Sequence, residues 1–104
     1  RMGRDYLSLS QCAIERLGAL VDPAAVVFSG HSKGAYVASV AAGLAGKENL
    51  SPLPRVLMTF AAAGVDVDLA QTIPRETALT VVHAEADGVV SRELAQTLFN
   101  EARV

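Results

Sequence analysis

Helical and strand-like spacing of apolar residues alternate along the chain. Over residues 5–21, Tyr6, Leu9, Ala13, Leu17 and Leu20 recur at helical intervals, and Leu7, Ile14 and Val21 widen the stripe. Asp22-Pro23 ends this helix. Ala25, Val26, Val27 and Phe28 then form a short run rich in β-branched residues, which predicts a buried strand. A glycine-bounded turn follows from Gly30 to Gly34. Beyond it, Ala35, Val37, Ala38, Val40, Ala41, Ala42, Leu44 and Ala45 predict a helix apolar on nearly every side, which needs cover on more than one face.

Residues 46–54 are polar and proline-punctuated and read as a loop. Residues 55–61 read as a second buried strand, and residues 65–77 as a short connection with one helical turn. Residues 79–84 make the third strand. Ser91 caps a final helix whose Leu94, Ala95, Leu98, Phe99 and Ala102 share a face. This alternation predicts an α/β fold: about three parallel strands joined by right-handed crossover helices. Strands apolar on both faces fit a three-layer sheet covered on two sides. Consecutive crossovers of one hand all land on one side, however. The expectation is therefore a single partial domain over residues 1–104, with one sheet face uncovered and its edges open to self-association.

Composition narrows the functional classes. About half of the 104 residues are apolar, 19% are charged and the net charge is −2. No basic cluster points to nucleic acid, and no apolar stretch approaches the roughly 18 residues of a membrane span. The single cysteine, Cys12, excludes an internal disulfide and a cysteine metal cluster. It is expected on a buried helix face, as a small core residue.

The chemistry concentrates at Gly30-His31-Ser32-Lys33-Gly34, a G-x-S-x-G pattern between a predicted strand and a predicted helix. Such a turn holds Ser32 at its tip in unfavourable dihedrals. Side chains at the two flanking glycine positions are expected to collide with the strand and the helix. The serine stands at a helix N-terminus, where unpaired amides and the helix dipole favour negative charge, and the Lys33 N–H is the natural first oxyanion donor. A glycine-rich turn without chemistry is the alternative, although no dinucleotide or P-loop pattern accompanies it.

These residues resemble the α/β-hydrolase family, in particular its dienelactone-hydrolase-like and lipase- or esterase-like members. The resemblance runs from the helix before the family's fifth strand to the helix after its seventh. It places the elbow at Val26 to Gly34, the sixth strand at residues 55–61, and the seventh at residues 79–84 with an acid turn through Asp87-Gly88. It implies an incomplete hydrolase fold lacking upstream strands, the second oxyanion donor, the last strand and the catalytic histidine. Asp87 matches the family's acid; Asp66 is the alternative acid, and Glu85 and Asp68 fit less well. The family order is Ser, acid, His, yet no histidine follows Asp87. His31 is expected as a packed or hydrogen-bonded elbow residue, and His83 as a strand-end residue tying down the acid turn. Neither suits a base.

The resemblance further implies a carboxylic ester or thioester as small-molecule substrate and no metal or organic cofactor. A serine rather than an aspartate at the elbow argues against dehalogenase and epoxide-hydrolase chemistry. An acyltransferase on the same scaffold and a non-catalytic interaction domain keeping the elbow are the alternatives.

Overall fold

A computed structural model describes residues 2–84 and 92–103. Helix α1 spans Met2–Leu17 and tightens into a 3₁₀ turn at Gly18–Leu20. Asp22 then caps a second 3₁₀ turn, Pro23–Ala25, its carboxylate accepting from the Ala24 N–H at 2.9 Å. Strand β1 is Val27–His31, so the predicted strand begins two residues late and runs to the edge of the serine turn. The cap on Asp22 explains the shift, because it holds residues 23–25 in a turn. Helix α2 (Lys33–Glu48), strand β2 (Val56–Phe60), helix α3 (Val67–Gln71), strand β3 (Ala78–Val82) and helix α4 (Arg92–Ala102) complete the order.

The strands form one parallel sheet in the order β1-β2-β3, with Val27 opposite Val56 and Val56 opposite Ala78. Alternate residues face opposite sides. On one side Phe28, Leu57 and Thr59 are buried beneath α2, and α4 packs against β3 on the same side. Burying a side chain such as Phe28 or Leu57 contributes about 1.5–3 kcal/mol. Helix α2 is the hub of the core. Its Ala35, Ala38, Ala41, Ala42 and Ala45 are wholly buried, and their small side chains let the helix approach the sheet, α1 and α3 closely. On the other side Val27, Phe60 and Val82 are 52%, 38% and 45% exposed. Among the described residues there is a single helical layer, on one face of the sheet.

Three local expectations change. Residues 46–48 belong to α2, not to the loop: a Cβ on Gly46 would lie 1.9 Å from the Thr72 carbonyl oxygen, so this glycine marks a close approach inside a helix. The helix instead ends at Asn49, which adopts the left-handed conformation. Helix α1 buries only Gly3 and Leu7; Leu9, Leu17 and Leu20 of the predicted stripe are exposed. Cys12 is exposed as well. The reason is shared: α1 packs on α2 along the line of Gly3 and Leu7, with the Arg4–Glu48 ion pair beside it, which turns the other side of the helix outward.

Candidate active site

Ser32 links β1 directly to α2. Its φ and ψ are 56° and −119°, a region that residues with a side chain rarely occupy and that costs about 1–3 kcal/mol. Four backbone hydrogen bonds hold it there. The Ser32 N–H donates to the Phe60 carbonyl at 2.9 Å, at the end of β2. The Ser32 carbonyl accepts from Ala35 and Tyr36 in α2, at 3.1 and 3.2 Å, and from Ala63 beyond β2, at 3.1 Å. The strand, the helix and the β2 exit loop thus all fix one residue.

Gly30 makes the turn sterically feasible. A Cβ there would sit 2.3 Å from the Gly34 carbonyl oxygen and 2.7 Å from the Ala35 nitrogen. Gly34 differs from expectation: a Cβ built on it meets nothing within 4 Å, because this position points away from both flanking elements. The collision requirement therefore holds at Gly30 alone.

The serine occupies the N-cap position of α2, yet its side chain makes no capping hydrogen bond. A serine in an ordinary cap accepts from the second or third helical amide. Here half-buried Ser32 does not spend its hydroxyl on the helix amides, and Lys33 and Gly34 keep the first-turn amides that lack intrahelical acceptors. Lys33 is exposed and, with Tyr36, Ala63, Gly64 and Val65, lines an open depression of about 480 Å³ beside the turn. A larger hollow, about 770 Å³, lies at the amino ends of the strands among Pro23, Pro54, Arg55 and Thr77. Open α/β sheets bind ligands at the carboxyl ends, so the smaller depression is the relevant one.

Among the other expected residues, Asp66 caps α3, its carboxylate accepting from the Leu69 N–H at 3.1 Å. Asp68 is exposed on α3. His31 is neither packed nor hydrogen-bonded among the described residues; as an odd-numbered member of β1 it lies exposed on the uncovered face. His83 is half-buried just past β3, lining a hollow with Val81, Arg92, Ala95 and Phe99. Asp87, Glu85 and Ser91 lie outside the described residues.

The β2 exit was not foreseen as part of the site. Ala61 has φ 50°, joining Ser32 and Asn49 as a non-glycine residue at positive φ, and its N–H donates to the Val82 carbonyl at 2.9 Å. The only trace in the sequence is the run of small residues Ala61-Ala62-Ala63-Gly64, which permits close approach. Among the described residues no group of three or more His, Cys, Asp or Glu side chains could hold a metal ion, and no helix is long and apolar enough to cross a membrane.

Fold and site together define an α/β protein whose parallel sheet presents a serine on a strained strand-to-helix turn. No protein-family model, curated protein or solved structure matches the chain.

Proposed function

We propose that this chain is an internal piece of a serine hydrolase of the α/β-hydrolase kind, with Ser32 as nucleophile toward carboxylic esters or thioesters. One observation carries the reading: a serine in a strained conformation at the head of a helix, with its hydroxyl not used as a cap. Backbone strain of this kind clusters at functional sites.

In the intact parent, the Ser32 Oγ attacks the acyl carbon while a histidine contributed from outside this chain accepts the hydroxyl proton. The Lys33 N–H binds the developing oxyanion, and Asp87 orients the histidine and stabilises its imidazolium. The same histidine returns the proton to the leaving alcohol or thiol. Water then repeats the sequence on the acyl-enzyme and releases the acid. The sheet face bearing exposed Val27, Phe60 and Val82 supports a missing second layer.

The experiment is fluorophosphonate labelling of the full-length parent. Labelling at Ser32 that disappears in Ser32→Ala supports the reading, and a full-length protein that resists labelling removes it. The isolated chain is expected to show negligible turnover of an activated ester. Robust turnover that survives replacement of both His31 and His83 would show that the account of the base is wrong.

A further inference from the structure

The outer edge of β1 carries a contact that the proposed chemistry does not use. The Val26 carbonyl accepts from the Arg55 N–H at 2.8 Å, and the Ser32 N–H donates to the Phe60 carbonyl. Even-numbered residues of this stretch therefore turn their backbone groups toward β2, and the odd-numbered Val27, Ser29 and His31 turn theirs outward. An edge of this kind is a template for pairing with another strand. At its centre stands Tyr6 of α1. The Tyr6 hydroxyl donates to the Ser29 carbonyl and accepts from the Ser29 N–H, both at 3.3 Å. Its ring packs edge-on against Phe28, with centroids 5.0 Å apart and planes at 65°.

We propose that Tyr6 guards this edge, its hydroxyl occupying both outward groups of Ser29 so that β1 accepts another strand only after the phenol is displaced. The spacing supports this. An added strand lies about 4.8 Å from its neighbour, which is the space the phenol fills. Consecutive outward positions are about 6.6 Å apart, and with Ser29 engaged the remaining pair, Val27 and His31, are about 13 Å apart. No continuous ladder forms across that gap. Both Tyr6 bonds are longer than the usual range, so the guard is held weakly and yields to a well-matched strand. The inference concerns the edge alone and stands independently of any role for Ser32.

Tyr6→Phe tests it in the 104-residue chain, because the ring keeps its packing on Phe28 while the hydroxyl is lost. Analytical ultracentrifugation should show self-association at an about tenfold lower concentration than in the wild type. Below that concentration, amide exchange at Ser29 should accelerate. Adding Val27→Pro should restore the wild-type association: Val27 opens the strand, its N–H points outward, and Val26 at φ −89°, ψ 136° already has the conformation required before proline. Unchanged association and unchanged Ser29 exchange in Tyr6→Phe overturn the proposal. Association that Val27→Pro does not reverse also overturns it, since the contact then lies on the open sheet face. Should Tyr6→Phe lack a folded circular-dichroism spectrum, Val27→Pro alone decides. No change in association supports a guarded edge, and an about tenfold weakening shows that the edge pairs despite Tyr6.

Discussion

The two faces of the sheet are built from neighbouring residues of the same three strands and have opposite fates. Leu57 and Thr59 are completely buried, whereas Phe60, the next residue, is 38% exposed. Both faces are rich in β-branched and large apolar residues, so residue type does not separate them. What separates them is the presence of α2 on one side. The difference teaches that strand composition alone does not say which face of a sheet is covered; the helices packed against it do.

Substitutions across the sheet test that contrast most strongly. Leu57→Ala should cost about 2–5 kcal/mol, read as a lower denaturation midpoint, because it opens a cavity beneath α2. Val82→Thr, a near-isosteric change on the open face, should stay within about 0.5 kcal/mol of the wild type. Equal losses at the two positions would mean that the open face is covered in solution. Next in size is the contact between the covered face and the start of α2. Gly30→Ala should destabilise by about 1–3 kcal/mol through overlap with Gly34 and Ala35. Gly34→Ala should be neutral or gain less than about 1 kcal/mol.

The covered face also holds a polar group in an apolar setting. Among the described residues the buried Thr59 hydroxyl has no hydrogen-bond partner, so Thr59→Val should raise stability by about 1 kcal/mol in the same denaturation assay. The smallest effect concerns the helical layer itself. The hydrogen bond and charge of Arg4 hold the Glu48 carboxyl below its usual range, the Arg4 guanidinium being raised in turn. A lowered folded-state value means that the contribution is complete above the ordinary carboxylate range and fades as pH falls through the lowered value. Both groups are solvent-exposed, so salt should weaken the effect, and Glu48→Gln should flatten this part of the acid-range stability profile.

Much of the architecture was legible before any coordinates. Alternating periodicities gave the order of helices and strands and their parallel arrangement, because each period reflects a backbone geometry. They did not reveal which stripe meets a partner. Leu9 and Leu17 share a face of α1 as their spacing requires, but that face is bare, since packing is decided by Gly3 and Leu7 against α2. Gly46 shows another limit: a glycine demanded by a neighbouring carbonyl looks, in sequence, like one demanded by a turn. At the site, the serine turn was legible because its steric requirements act locally. The clasp from Phe60 and Ala63 was not, because backbone groups carry no sequence signature.

That clasp has a mechanical consequence. With one amide hooked to β2 and one carbonyl gripped by three donors, residue 32 behaves like a torsion bar clamped at both ends. The exit loop of β2 is one of its anchors. Displacing Ala63 would release one of the carbonyl's three grips and relax the backbone of residue 32, so the strain at the turn is coupled to the pose of a loop on the far side of β2.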